Sequence, residues 1–175
     1  MTAATLIFGW GNPSRGDDAL GPLLIDRIGA LLADHPEWGA VELLTDFQLQ
    51  VEHALDLEGR RRVLFVDSCA GALPGGAGAE APFGVGELAP ARDSSFSSHT
   101  LSPQAVMQVY VDITGRAPPP CWVLGIKGQS FELGEDLGAA AQANLDAAVA
   151  WVGEWLNSPS PASREREGPS RRLGG

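Results

Sequence analysis

Short apolar runs alternate along this chain with longer segments whose apolar residues recur at helical spacing, and this alternation constrains the fold more than any other feature. A short apolar run has the length of a buried strand, whereas apolar residues repeated every three or four positions indicate a helix. We predict strands at 5–8, 41–44, 62–66, 85–88 and 121–126. We predict helices at 18–34, 51–57, 103–114 and 137–156, and a glycine-rich loop at 71–84.

Strands that alternate with helices indicate a parallel sheet, because a parallel connection needs a crossover that a helix normally supplies. The sequence therefore predicts an α/β fold: a three-layer sandwich whose mostly parallel, twisted sheet of about five strands carries helices on both faces. One helix has clear boundaries, since Ser102 is a good N-cap, Pro103 suits the first helical position and Gly115 favours termination after Thr114. In such a sheet, functional side chains gather at the carboxyl ends of the strands.

The composition of the chain changes near residue 157. Residues 1–156 have the apolar content and the periodicity of a single α/β domain. From Asn157 onward apolar residues almost vanish, and Ser, Pro, Arg, Glu and Gly predominate. A segment of that composition buries too little apolar surface to offset the entropy lost on ordering. We therefore predict that 157–175 is a disordered C-terminal tail.

The charge balance and the cysteine content exclude several classes of protein. The chain has 12 Lys and Arg against 22 Asp and Glu, a formal net charge of −10. Nucleic acids and anionic membranes attract clustered cations, so neither is an expected partner. Two cysteines, Cys69 and Cys121, are too few for a disulfide scaffold or a four-cysteine zinc site. The first apolar run is too short for a signal peptide and no run is long enough to cross a membrane, so we expect a cytoplasmic protein. We also expect the protein to be a monomer.

The turn after the first strand carries an unusual sequence, Gly-Trp-Gly-Asn-Pro-Ser-Arg-Gly-Asp-Asp, from Gly9 to Asp18. A glycine-rich turn between a strand and a helix suggests a dinucleotide site, but Ser14 stands where the third glycine belongs. Asp17 and Asp18 would also repel a pyrophosphate. A structural alternative remains open, in which Asp17 caps the following helix and Asp18 is a first-turn residue favoured by the helix dipole.

The spacing of Gly11-Asn12, Asp17-Asp18 and Gly21 resembles the signature of the [NiFe]-hydrogenase maturation endopeptidases. The resemblance spans about residues 6–156. Three further segments support it, at 65–67 (Phe-Val-Asp), 98–103 (Ser-His-Thr-Leu-Ser-Pro) and 125–128 (Gly-Ile-Lys-Gly). The segment 46–53 is similar to a subset of the family that includes proteases dedicated to individual hydrogenase types.

The resemblance implies an aspartic-type endopeptidase that removes the C-terminal extension of a nickel-loaded [NiFe]-hydrogenase large-subunit precursor, which would be its partner. It implies that Asp18, Asp67 and His99 form the catalytic and metal-binding site, with no resident cofactor and with nickel supplied by the substrate. Two carboxylates and an imidazole suit nickel or zinc, and three protein ligands leave positions open for substrate or water. Taken singly, Asp67 could equally bond neighbouring loop amides, and His99 could be an exposed loop histidine.

Two other functions remain open at this stage. One is a non-enzymatic chaperone that holds nickel or the large subunit without cutting it. The other is a cysteine hydrolase built on Cys69, although a nearby Asp67 would raise the pKa of that thiol and disfavour the thiolate. We expect a surface or packing role for His53, with some chance of partner contact, and we expect 128–132 either to line the cleft or simply to join strand to helix.

Overall fold

Five strands form one mixed sheet with helices on both of its faces, in the part of the chain that the structure describes. The computed structural model describes residues 2–93 and 101–158. The strands are β1 (Thr5–Trp10), β2 (Val41–Asp46), β3 (Arg62–Cys69), β4 (Phe83–Leu88) and β5 (Cys121–Lys127). The helices are α1 (Leu20–Leu31), α2 (Pro103–Thr114) and α3 (Ala139–Asn157). The predicted three-layer α/β architecture is confirmed.

The strand order is β2-β1-β3-β5-β4, and every neighbouring pair is parallel except β4 with β5. The chain passes from β1 to β2 on one side, and β3 then lies on the other side of β1. The strand order therefore reverses between β1 and β3. In sheets of this kind a crevice opens at the carboxyl ends of the two strands that flank such a reversal, and ligands bind there.

The strands alternate their side chains between two apolar cores. On one face, Ile7 and Leu64 are buried beneath α1 and α3. On the other face, Phe8 and Phe65 are buried beneath α2 and a short 3₁₀ helix, Val51–Leu57. Because both faces are covered, the central strands are apolar throughout, and polar side chains appear only where the strands end.

The helix boundaries agree with the sequence signals in one case and differ in another. The Ser102 hydroxyl accepts a hydrogen bond from Ala105 N at 3.1 Å, and Gly115 adopts a left-handed conformation with φ of 68°, so α2 begins and ends as predicted. The helix predicted at 18–34 is α-helical only in α1. A 3₁₀ turn, Gly16–Ala19, precedes α1, and another, Leu32–Asp34, follows it.

Strand β3 continues past the predicted end at Val66. Asp67, Ser68 and Cys69 remain paired with β5, whereas the pairing of β3 with β1 stops at Gly9 and Val66. Beyond Val66 the edge of β3 that faced β1 is therefore open. Asp67 lies within the strand, at the place where the crevice begins, rather than in a loop after it.

A buried arginine holds the C-terminal end of α3 by hydrogen bonds to its last carbonyl groups. Arg62 is 5% exposed, its guanidinium lies 4.4 Å from the centre of the Trp155 ring, and it donates to the carbonyl of Ser158 at 3.1 Å. Asn157 thus belongs to α3, and the predicted disorder from residue 159 onward lies outside the described residues. None of the described helices is both long enough and apolar enough to span a membrane.

Candidate functional site

The loop that leaves β1 sets the position of Asp18. Gly11 has a φ of 147°, and a Cβ at this position would lie 2.1 Å from the carbonyl oxygen of Asp18, so only glycine permits the close approach. The next residue, Asn12, donates its backbone N–H to Asp18 Oδ2 at 2.7 Å. The tight glycine turn therefore orients the carboxylate of Asp18 as well as reversing the chain.

Ser68 links Asp18 to Asp67. Its backbone N–H donates to Asp67 Oδ1 at 2.8 Å, and its hydroxyl donates to Asp18 Oδ1 at 3.2 Å. Two carboxylates that are far apart in sequence thus lie beside one residue, at the reversal point of the sheet. The structure brings these two predicted site residues together.

The pKa of Asp67 is raised to about 7. Burial at the end of β3 is the main cause, and the negative charge of Asp18 adds to it, while the hydrogen bond from Ser68 acts in the opposite direction. A carboxyl group with such a pKa exchanges its proton near neutrality. Perturbed carboxyl groups of this kind are concentrated at functional sites.

Asp17 has a different role from its neighbour. The residue is 2% exposed, and its carboxylate accepts hydrogen bonds from three backbone N–H groups, those of Gln129 at 2.7 Å, Ser130 at 3.1 Å and Gly138 at 3.0 Å. Burial by itself would raise the pKa of Asp17, but these hydrogen bonds outweigh it and hold the pKa below its ordinary value. The alternative in which Asp17 caps its own helix is wrong, because the residue anchors the β5–α3 loop instead.

The β5–α3 loop is consequently fixed against the turn that carries Asp18. Asp17 N donates to Ser130 O at 2.7 Å, and Gly134 N donates to Ser14 O at 2.7 Å. The segment 128–132 therefore contacts the candidate site through Asp17.

His99, the third predicted site residue, lies outside the described residues. The segments on either side of it are connected, because the carboxylate of Asp93 accepts hydrogen bonds from the backbone N–H and the hydroxyl of Ser102. Leu101 packs against the core beneath α2. Within 2–93 and 101–158 no three His, Cys, Asp or Glu side chains are grouped closely enough to hold a metal ion, so the described part supplies at most two ligands of the predicted set.

Cys69 is a poor nucleophile in this structure. Burial is the main reason that the pKa of its thiol is raised to about 11, and the charge of Asp67 raises it further. A thiol with this pKa is almost entirely protonated near pH 7. The environment therefore opposes a cysteine hydrolase mechanism.

A cleft of about 330 Å³ lies beside the Gly11 turn, and no motif at these positions predicts it. Its lining residues come from the loop after β1, from the end of β2 and from the first turn of α1: Gly11, Pro13, Pro22, Thr45, Asp46 and Phe47. His53, expected at the surface or in packing, lies with its Nε2 atom 3.2 Å from Asp46 Oδ2. The resemblance at 46–53 was the only signal in the sequence that these residues belong together.

Comparison with known proteins identifies the fold. No protein-family model matches the chain, and no curated protein is similar to it in sequence. Several solved structures are similar to it. A [NiFe] hydrogenase maturation protease, HycI, from Thermococcus kodakarensis is 21% identical with a TM-score of 0.65, over 89% of this chain and 94% of that one. The hydrogenase maturating endopeptidase HybD from E. coli is 19% identical with a TM-score of 0.61, over 85% and 88%.

A third structure extends the comparison. The hydrogenase 2 maturation peptidase from a Thaumarchaeota archaeon is 22% identical with a TM-score of 0.55, over 87% of this chain and 97% of that one. The similarity covers nearly the whole length of each of the three relatives. At this level of identity it establishes the fold, and this chain has the fold of these hydrogenase maturation proteases.

Proposed function

We propose that this protein is an endopeptidase that removes the C-terminal extension of a nickel-loaded [NiFe]-hydrogenase large-subunit precursor. The observation that carries the proposal is the pairing of Asp18 with Asp67 through Ser68 at the reversal point of the sheet. The fold shared with three solved hydrogenase maturation proteases supports the choice of reaction and substrate.

In this proposal Asp18, Asp67 and His99 bind the nickel ion that the client brings with it. Oxygen and nitrogen donors of this kind suit a borderline divalent ion. His99 precedes Ser102, the N-cap of α2, by three residues. Side chains alternate along a strand, so Asp67 lies on the same face of the sheet as Phe65, and α2 covers that face. Bound nickel then reports that the client is loaded and polarises the scissile carbonyl as a Lewis acid.

The reaction is peptide hydrolysis by a positioned water molecule. The oxygen of water bonds to the scissile carbonyl carbon, the C–N bond breaks, and a proton from the water passes to the leaving nitrogen. A carboxylate at the site, Asp18 or Asp67, orients the water and carries that proton. Asp18 is held for this task by Asn12 N–H and by the Ser68 hydroxyl.

The test is incubation of purified nickel-loaded precursor with the protein, read by intact mass. We expect the wild type to release the C-terminal peptide. Asp67→Asn and His99→Ala should each slow processing by at least a hundredfold, because each removes a ligand of the client's nickel. Asp146→Asn is the matched control, since it removes one exposed carboxylate on α3 and should process at the wild-type rate.

Three outcomes contradict the proposal. An unchanged precursor mass with the wild-type protein, together with retained binding, indicates the non-enzymatic chaperone instead. Processing by Asp67→Asn at the wild-type rate shows that the carboxylate pair does not carry the reaction. Loss of processing in Cys69→Ala would revive the cysteine hydrolase, which the raised thiol pKa argues against.

A further inference from the structure

The cleft beside the Gly11 turn contains a half-buried carboxylate, Asp46, that the proposed reaction does not use. We infer that this cleft binds a cationic side chain, arginine or lysine, of the client's C-terminal segment, and that Asp46, held in place by His53, selects it. The inference rests on the proposed function, because it takes the ligand to be a segment of the client polypeptide.

The cleft has the size and the place for a side chain that approaches the proposed active site. Its volume of about 330 Å³ lies at the small end of the range for binding pockets. Trp10 and Asp46 are paired at the ends of β1 and β2, and Gly11 N donates to Asp46 O at 3.1 Å. The cleft is therefore built on two strand ends, which hold its walls in fixed positions.

A hydrogen-bond chain fixes the carboxylate of Asp46. Phe47 N donates to Asp46 Oδ1 at 2.7 Å, and His53 Nε2 lies 3.2 Å from Asp46 Oδ2. The Gln50 backbone N–H donates to His53 Nδ1 at 2.8 Å, so the network assigns a neutral ring with its proton on Nε2. The edge contact of His53 with Phe8, 4.5 Å between ring centres, holds the ring. His53 is thus a positioning residue for Asp46.

The negative charge of Asp46 is not neutralised within the described chain. No Lys or Arg of residues 2–93 and 101–158 forms an ion pair with it, and its one ion-pair partner is His53, which the network leaves neutral. Each carboxylate oxygen accepts one of these hydrogen bonds and keeps capacity for another. A guanidinium is suited to this arrangement, because it can donate to both oxygens at once and brings the missing positive charge.

The cleft adjoins the proposed active site at Gly11. This residue lines the cleft, and a Cβ on it would lie 3.3 Å from Asp18 Oδ1, so Gly11 lies against both the cleft and the Asp18 carboxylate. A client chain with its cationic side chain in the cleft passes Gly11 on the way to Asp18. Binding of the cation therefore sets which peptide bond reaches the carboxylates.

The test uses two short peptides that differ only in charge. Ac-Gly-Gly-Arg-Gly-Gly-NH2 and its citrulline counterpart have side chains of nearly the same shape, but citrulline is neutral. Titration of ¹⁵N-labelled protein, followed at the amides of Gly11, Thr45 and Phe47, gives the Kd for each. We expect the arginine peptide to bind at least tenfold more tightly than the citrulline peptide.

Variants assign the preference to Asp46 and His53. Asp46→Asn should abolish the arginine preference, whereas Glu52→Gln, which removes one exposed charge outside the cleft, should retain it. His53→Ala should reduce the preference and His53→Gln should restore it, because glutamine can accept from Gln50 N–H and donate to Asp46. Equal affinity of the wild type for the two peptides overturns the inference without any variant, as does an arginine preference that survives Asp46→Asn.

The peptide test is separable from the test of the proposed function. A protein that processes the precursor but binds both peptides equally contradicts only the inference about the cleft. A protein that prefers the arginine peptide at Gly11, Thr45 and Phe47 but leaves the precursor intact contradicts only the proposed reaction.

Discussion

Asp17 and Asp18 are adjacent in sequence but have different surroundings. Asp17 is buried with three backbone N–H donors, whereas Asp18 is half-buried and accepts from Asn12 and Ser68 in the crevice. The sequence motif indicates that one carboxylate of such a pair is free for another task. The burial of Asp17 could not be predicted from the motif, because its donors belong to a loop more than 100 residues later in the chain.

The raised pKa of Asp67 predicts that this residue destabilises the folded protein at neutral pH. Its pKa rises from 3.8 to about 7 on folding. At a pH between these two values the folded state holds a proton that the unfolded state has already released. Stability therefore falls as the pH rises from about 4 to about 7 and is constant above that range. At about 1.4 kcal/mol per pKa unit, the resulting loss of folding stability is at most roughly 4 kcal/mol.

Asp67→Asn removes the loss of stability that ionisation of Asp67 causes. We expect its free energy of unfolding to exceed that of the wild type by at least about 1 kcal/mol at pH 8, with the difference closing towards pH 4. Urea unfolding at a series of pH values, without client or nickel, measures it. The control Asp26→Asn changes an exposed carboxylate on α1 and should follow the wild type. A variant Asp67→Asn that is less stable than the wild type at pH 8 contradicts the assignment of a costly buried charge.

At the scale of elements, the periodicity of the sequence predicts which segments are strands and which are helices. It does not predict where the strand and the helix at the candidate site begin and end. The runs at 5–8, 62–66 and 121–126 are apolar because these strands are covered on both faces. β3 extends to Cys69 because β5 continues to pair with it, which depends on the register of a distant strand. The helix predicted from Asp18 starts two residues later because a 3₁₀ turn there allows Asp17 to reach the β5–α3 loop.

Close packing of β1 against α1 is needed to hold the Gly11 turn, and two glycines of α1 provide a matched test. A Cβ on Gly21 would lie 2.4 Å from Trp10 O, whereas one on Gly29 would meet only a Leu43 methyl at 3.4 Å. We expect Gly21→Ala to destabilise the protein by at least about 2 kcal/mol through backbone displacement. Gly29→Ala should stabilise it by about 0.5 kcal/mol, since alanine is the better helix former.

Thermal and urea unfolding of the two glycine variants measure these effects. If Gly21→Ala proves as stable as the wild type, the close approach of α1 to β1 is not required for the fold. Gly21→Ala should also weaken processing more than its stability loss accounts for, because Trp10 leads directly into the turn that orients Asp18.

For the whole molecule, the sheet topology explains why residues far apart in sequence meet. Reversal of the strand order between β1 and β3 opens the crevice that Asp18 and Asp67 share. The alternating pattern predicts this class of sheet, and the resemblance to a known family names the residues. The cleft at Asp46 could not be predicted from the sequence, because it is formed jointly by the loop after β1, the end of β2 and the first turn of α1. The contribution of His99 stays a prediction.

The central claim is that the carboxylate pair recognises nickel carried by the client. Intact-mass measurement of large-subunit precursor, prepared with and without nickel and incubated with the same wild-type protein, tests it most directly. We predict loss of the C-terminal peptide from the nickel-loaded precursor and at least a hundredfold slower loss from the nickel-free precursor. Equal rates for the two precursors would contradict it.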